Sequence, residues 1–446
     1  MPAATSRPAR ECLAVLSATL LFAFSCAAIS AQTAPSSSAD PTPLDPLTIN
    51  ATNWYWGPAN TWSWHNTRRI FPTAGISRGV GPVVSLTHDE HDLASITFTD
   101  PISQKTMSVA AMLDRTFTDG FLVLHHGKIA AESYRNGMTA DDPHMLMSVS
   151  KSVMGALAGI LAAQGKLDPA KLVTAYIPEM QGTVYEGATV RNLLDMTVDD
   201  PTERAAFTSA EGTAKAYEAV DEAGGWLPST STTAPGLRAY LTSLHRPHGL
   251  HGQQFLYLDQ SAILIGWVME RATGKDLSQL LTENLWSKLG PEHDASMMLD
   301  HYQQAYSSAG FNATLSDLAR FGQMMAQNGR YNGQQIVPAP WVKDIQTAGA
   351  AQQETGPSAS APYPGHRHGL YRNFWWVTEK SCGRFAGIGL GGQLLIIDPI
   401  ADMVVVKFDS VPSPELDDAT FSTQYAAIDA IIHSLSGHTC QLGSGK

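Results

Sequence analysis

Residues Met147 to Leu161 read MSVSKSVMGALAGIL, and from Val153 onward every residue of the run is apolar or small. A helix that is apolar on most of its sides runs through a domain interior rather than along a surface. The chain's 446 residues are enough to surround it within one large α/β domain or two interleaved ones.

Ser148 and Lys151 open this helix three residues apart, the only S-x-x-K in the chain. That spacing puts both side chains on one helical face, where the amine can take the hydroxyl proton as serine attacks a carbonyl. The helix start adds unpaired backbone N–H groups and the positive end of the macrodipole, which favour negative charge developing beside Ser148. Burial is expected to bring Lys151 down from the ~10.4 of a solvated lysine towards a usable base. The tetrapeptide alone is weak, because a serine-rich chain contains one roughly once by chance. Its ordinary reading is an N-capping serine beside a solvated lysine. The apolar helix behind it and the partners described below favour catalysis.

The amino end reads as a leader. Arg7 and Arg10 precede an uncharged apolar run from Cys12 to Ala31, with Ala28, Ser30 and Ala31 small enough for a cleavage point. Residues 1–31 are therefore expected to be a signal peptide and the protein periplasmic or secreted, with an uncleaved membrane anchor as the competing reading. Residues 32–46 (QTAPSSSADPTPLDP) form a flexible linker. Loss of the leader removes Arg7, Arg10 and Glu11, a net +1, and takes the formal charge from −12 to −13. So acidic a chain is a poor nucleic-acid binder. Of the four cysteines, Cys382 and Cys440 remain, either paired across the C-terminal segment or both unpaired.

Residues 47–109 form an extension in which Trp54, Trp56, Trp62 and Trp64 are read as packing aromatics rather than a sugar platform. His88-Asp89-Glu90-His91 is not H-E-x-x-H and has no evident third ligand, so it reads as an exposed loop; no metal site is assigned. From 110 to 440 the pattern becomes regular. Phe121–His125 and Lys128–Tyr134 predict a β-hairpin, and Val190–Met196 a short amphipathic helix. Residues 199–235 read as a loop-rich insertion walling a cleft. Helices are predicted over Ser261–Thr273 and Thr314–Gln327, strands over Phe374–Val377, Gly383–Ile388, Gln393–Ile397 and Met403–Phe408, and a closing helix over Thr420–Leu435. Strands at both ends of this region imply an α+β fold, one antiparallel sheet flanked by helices with a mostly helical domain inserted.

Two further stretches supply partners for the serine. Tyr257 precedes the apolar helix beginning near Ser261, where its hydroxyl can share protons with Ser148 and Lys151 and help protonate a leaving group. Gly387, Gly389 and Gly392 spell G-x-G-x-x-G, but strand rather than helix follows, so no dinucleotide site is read there. Such glycines instead let another molecule approach a strand backbone, which can donate the second N–H of an oxyanion hole opposite that of Ser148. Gly443-Ser444-Gly445-Lys446 reads as a tail, lacking the strand and helix of a P-loop.

The ensemble DGFLVLHHGKIAAESYRNGM, HMLMSVSKSVMGALAGIL, YIPEMQGTVYEGATVRNLLDMTV, FLYLDQSAILIGWVMERATGK, FNATLSDLARFGQMM and GIGLGGQLLIIDP resembles the serine β-lactamase and penicillin-binding-protein superfamily. Within it the resemblance is to the class C and esterase-like branch, most of all to 6-aminohexanoate-dimer (nylon-oligomer) hydrolase-like proteins. It implies a β-lactamase/transpeptidase-like fold with Ser148 as nucleophile, Lys151 as general base and Tyr257 as the tyrosine of the Y-x-N element. It also implies Leu390 N–H as partner of the Ser148 N–H in the oxyanion hole, with Asp259, Gly389 and Gly391 beside the substrate. Asp259 stands where Asn is usual, and Gly387 where the lysine of K-T-G is usual, which removes a cation that holds a substrate carboxylate.

The expected activity is acyl-enzyme hydrolysis of a small neutral ester or amide, with no metal or organic cofactor and no stable membrane insertion after leader cleavage. A peptidoglycan DD-peptidase or β-lactamase is the alternative that strong acylation by penicillin would favour. A binding protein on the same fold is the one that failure of serine-directed probes to label would favour. Oligomeric state is not legible.

Overall fold

The computed structural model describes residues 45–207, 209–228, 234–347, 370–413 and 418–440. The expected leader, the linker up to residue 44 and the Gly443–Lys446 tail lie outside them. Among the described residues no helix is long and apolar enough to cross a membrane.

The fold is mixed, helices with antiparallel sheets. Eleven strands and five helices position the site: β1 (Thr73–Ile76), β2 (Thr118–His125), β3 (Lys128–Tyr134), β4 (His144–Met145), α1 (Val149–Ala163), α2 (Pro201–Ala206), α3 (Ala210–Gly224), α4 (Asp259–Thr273), β5 (Ala295–Met298), β6 (Phe311–Ala313), α5 (Leu315–Ala326), β7 (Leu370–Arg372), β8 (Trp375–Glu379), β9 (Arg384–Gly389), β10 (Gln393–Asp398) and β11 (Met403–Asp409). The predicted hairpin forms β2 and β3, turning at His126-Gly127, where both residues have positive φ (51° and 72°).

The principal sheet has seven strands in the order β7-β8-β9-β10-β11-β2-β3, every neighbouring pair antiparallel. The last strand in sequence, β11, thus lies beside the first, β2, with Val405 opposite Val123 and Lys407 opposite Phe121. β10 and β11 are buried along their length, consistent with their near-continuous Leu, Ile and Val, because the sheet is covered on both faces. A smaller sheet, ordered β1-β5-β6-β4, ties the N-terminal segment to the strand that feeds α1.

α1 is buried from Val149 to Leu161, as its composition demands. Its small residues set how closely it can lie against its neighbours. A side chain at Gly155 would place its Cβ 2.1 Å from the Asn373 carbonyl oxygen, a contact that only glycine permits. The N-terminal aromatics divide: Trp54 and Trp64 are buried, the Trp54 indole N–H donating to the Trp226 carbonyl at 2.8 Å, whereas Trp56 is exposed. His88-Asp89-Glu90-His91 lies exposed at the surface.

The expectation of a loop-rich segment over 199–235 is wrong. Residues there form α2 and the fifteen-residue α3. Asp200 caps α2 by accepting from the N–H groups of Thr202 and Glu203, with Pro201 in the first turn, and Ser209 caps α3 by accepting from Gly212 N–H. Gly225, at φ 77°, ends α3. Alanine and glutamate between two good caps outweigh the scattered Thr, Ser and Gly. α4 also starts two residues before its expected first residue, at Asp259.

Candidate active site

Ser148 occupies the N-cap of α1 and already has helical dihedrals (φ −68°, ψ −6°). The residue before it, Met147, has φ 47°, a left-handed conformation that costs a side-chain-bearing residue about 1–2 kcal/mol. The turn is held by Val149 N–H donating to the Leu146 carbonyl (3.1 Å) and Ser150 N–H to the Met147 carbonyl (2.9 Å).

Lys151 is fully buried. Its ammonium donates to Ser148 Oγ at 2.7 Å and to the Ser308 carbonyl at 3.1 Å, and its Nζ lies 2.5 Å from Asp259 Oδ1. Two hydrogen bonds and one ion-pair contact thus surround the ammonium. Burial works against that charge, but the facing Asp259 carboxylate, with hydrogen bonds to Asp259 and the Tyr257 oxygen, outweighs it and holds the Lys151 pKa above the ordinary lysine value. This corrects the expectation that burial would lower it. The cause is Asp259, the residue that departs from the usual Asn. Its carboxylate faces the lysine, which gives it a charge-pairing place.

Tyr257 lies just before α4, buried, its ring stacked on Trp376 (centroids 5.3 Å, planes 18° apart) and edge-on to Tyr371. Lys151 Nζ stands 4.9 Å from the Tyr257 ring centroid. Burial pushes the Tyr257 hydroxyl up, against the pull of the Lys151 charge and of its hydrogen bonds with Ser148 and Lys151, so it stays protonated at neutral pH. Serine, lysine and tyrosine thus meet at one point although the tyrosine lies more than a hundred residues downstream.

β9 passes the start of α1. A Cβ at Gly387 would fall 2.9 Å from Ser152 Oγ, and one at Gly389 would fall 2.6 Å from the Leu146 carbonyl and 3.0 Å from Met147 Cβ. The strand end that leads into Leu390 therefore presses on the segment that carries Ser148, the neighbourhood that a two-amide oxyanion hole requires. Gly391, next to Leu390, has φ 73°, and a Cβ there would meet the Trp64 ring at 2.4 Å, so it packs against the N-terminal segment.

Two residues that the sequence did not point to belong to the same neighbourhood. Tyr306 donates its hydroxyl hydrogen to Asp221 Oδ1 and stacks on Trp226 at 3.8 Å. Burial raises the Asp221 carboxyl to about 7, with the Tyr306 hydrogen bond opposing and the charges of Asp259 and Lys151 also felt. Asp221 sits on α3, in the stretch read as loop, so no periodicity pointed to it. Cys382 and Cys440 are joined as a disulfide (S–S 2.05 Å).

A Ser-x-x-Lys at the start of a buried helix, set against the inner strand of an antiparallel sheet and joined by a tyrosine, defines a hydrolase of β-lactamase type. The Beta-lactamase family model matches residues 109–420, and the chain belongs to that family. Over 369 residues it is 32% identical to the 6-aminohexanoate-dimer hydrolase of Paenarthrobacter ureafaciens, a match spanning 81% of this chain and 88% of that one. A Bacillus anthracis structure that bears the provisional name 6-aminohexanoate-dimer hydrolase superposes with a TM-score of 0.79 at 27% identity, covering 89% of this chain and 99% of the other. A family VIII carboxylesterase shares the fold at a TM-score of 0.51 and 16% identity, over 72% and 95% of the two chains.

Proposed function

We propose that the protein is an exported serine hydrolase that cleaves small carboxylic esters or amides through an acyl-enzyme on Ser148. The observation that carries this reading is the 2.7 Å contact between Ser148 Oγ and Lys151 Nζ inside a buried cluster that also holds Asp259 and Tyr257.

Lys151 starts as an ammonium. It passes one proton to Asp259, and the lone pair so freed takes the Ser148 proton as Oγ bonds to the substrate carbonyl carbon. The N–H groups of Ser148 and Leu390 hold the oxyanion. As the tetrahedral adduct collapses, the bond to the leaving oxygen or nitrogen breaks and Tyr257 supplies the proton that the leaving group needs. Tyr257 is then reprotonated from Lys151. Water, deprotonated by the same groups, attacks the ester carbonyl; the acid is released as Ser148 regains its proton, and Asp259 hands its proton back to Lys151.

Substrate preference follows from charge. Gly387 offers no cation to a substrate carboxylate, which favours a neutral substrate over an anionic β-lactam. The Paenarthrobacter relative is named for the 6-aminohexanoate dimer, which supports short amides of straight-chain amino acids as first candidates. Export is supported by the leader-like amino end and by the Cys382–Cys440 disulfide, a linkage that persists in oxidising compartments.

The test is intact mass of the protein and of Ser148→Ala after fluorophosphonate treatment, beside turnover of p-nitrophenyl acetate and butyrate and of the 6-aminohexanoate dimer. One adduct and measurable turnover, both lost in the variant, are expected. Turnover that survives in folded Ser148→Ala overturns the assignment, and absence of both adduct and turnover in the parent leaves a binding protein. Rapid stable acylation by penicillin would move the substrate class to β-lactams and cell-wall peptides.

A further inference from the structure

Behind the catalytic cluster three ligand-type side chains converge. Asp119, in β2, directs Oδ2 towards His144 Nε2 of β4 at 3.3 Å and towards His65 Nε2 of the N-terminal segment at 3.5 Å. The Asp119 and His144 side chains are wholly buried, and that of His65 is 6% exposed. His144 Nδ1 lies 2.8 Å from the Met145 carbonyl, which can only accept, so Nδ1 carries the hydrogen; in the neutral ring Nε2 then presents a lone pair to the Asp119 oxygen. His65 Nε2 is buried and makes no hydrogen bond. The other Asp119 oxygen is already satisfied by Asn136 Nδ2 (2.8 Å) and Ser410 Oγ (3.0 Å).

Two imidazole nitrogens and one carboxylate oxygen turned on a common point form a cation's donor set. In a tetrahedral zinc site with bonds of 2.0–2.1 Å, neighbouring ligand atoms stand about 3.3–3.4 Å apart, which the 3.3 Å and 3.5 Å separations match. The surroundings resemble a built outer shell: a ring N–H donated to a backbone carbonyl fixes the His144 tautomer, and two donors orient the carboxylate. Phe408 stacks on the His144 ring at 4.8 Å, and the nearby Lys407 ammonium is paired with Asp409.

We propose that His65, Asp119 and His144 supply three ligands of a buried metal site, its fourth position open to water, for a late first-row divalent cation, Zn²⁺ foremost, which the nitrogen-rich donor set favours over Mg²⁺ or Ca²⁺. The ion ties three separate pieces together: the N-terminal segment through His65, the principal sheet through Asp119, and through His144 the strand four residues ahead of Ser148. The site is distinct from the serine cluster and adds a metal that the sequence motifs did not indicate, because its ligands lie on three elements far apart in the chain.

The test uses the untagged full-length protein grown in zinc-supplemented medium. Elemental analysis by mass spectrometry should give about one zinc per chain, and both His65→Gln and Asp119→Asn should fall to a tenth of that or less. Chelator-treated protein given Co²⁺ should develop the visible absorption of tetrahedral cobalt, and chelation should lower Tm by at least about 5 °C, reversed by Zn²⁺. Only trace metal in the parent with no cobalt spectrum, or variants that retain the full metal content, would overturn the proposal. If a variant fails to fold, the cobalt spectrum and the reversible Tm shift of the parent still decide it.

Discussion

Asp259 Oδ1 lies 2.5 Å from Lys151 Nζ, so the lysine beside the nucleophile is held as half of an ion pair. A candidate base that begins protonated must shed a proton before it can act, and the carboxylate that keeps it charged is also the nearest acceptor. Replacing Asp259 by Asn removes that partner. Asp259→Asn should move the acid limb of the kcat/KM pH profile to lower pH by about one unit or more, while the plateau falls about tenfold through loss of the proton acceptor. A profile measured on p-nitrophenyl acetate whose acid limb stays in place would refute the pairing as a control on catalysis.

Tyr257→Phe keeps the ring that stacks on Trp376 and deletes the hydroxyl. Thermal unfolding should change little, and kcat should drop about 10²–10³-fold, more on amides than on esters because the amine leaving group depends more on protonation. Equal losses on both substrate classes would remove the tyrosine from the leaving-group step.

Gly389→Ala would place a methyl group 2.6 Å from the Leu146 carbonyl. The strand end or the turn before Ser148 must yield, at a cost of about 1–3 kcal/mol in unfolding free energy. The oxyanion amides separate as a result, and kcat should fall by at least about 10²-fold. Denaturant melts and steady-state kinetics read the two effects separately.

Asp221, raised to about 7 in the folded protein, binds its proton more tightly there than in the unfolded chain. Its contribution is therefore fully present below about pH 4 and is lost as pH rises through about 7, at most about 4 kcal/mol in all. Asp221→Asn should flatten the decline in stability between about pH 4 and 7, a window set by those two values. Denaturant midpoints across that range would show it; a decline identical to the parent's would assign the titration to another group.

The Cys382–Cys440 disulfide closes a segment with a sequence separation of 58. Replacing both cysteines with serine should cost about 4 kcal/mol, chiefly by freeing the unfolded chain. The parent should melt lower in reductant and the double variant should not respond; a reductant effect retained in the variant would place its cause elsewhere.

Periodic and ordered signals were legible in the sequence. The apolar run of α1, the alternating hairpin β2–β3 and the apolar strands of the last third fixed the sheet because each states its own burial. Ser148, Lys151 and Tyr257 were legible as motif positions. The charge state of Lys151 was not, because it depends on a carboxylate brought in from α4, and a sequence carries no distances. Asp221 and Tyr306 were missed because neither stands in a motif and each acquires meaning only opposite the other. α3 was misread because caps at Ser209 and Gly225 decided between helix and loop where composition was ambiguous.

β11 sits between β10 and β2, and so the strand made nearly last is the one that joins both halves of the principal sheet. A growing chain can wind α1 and pair β2 with β3 early, yet the β7–β10 strands join that hairpin in one sheet only once residues 403–409 exist. The principal sheet therefore stays in two unjoined parts through almost the whole of synthesis, and truncation anywhere before that strand leaves it so, whatever motifs the product retains.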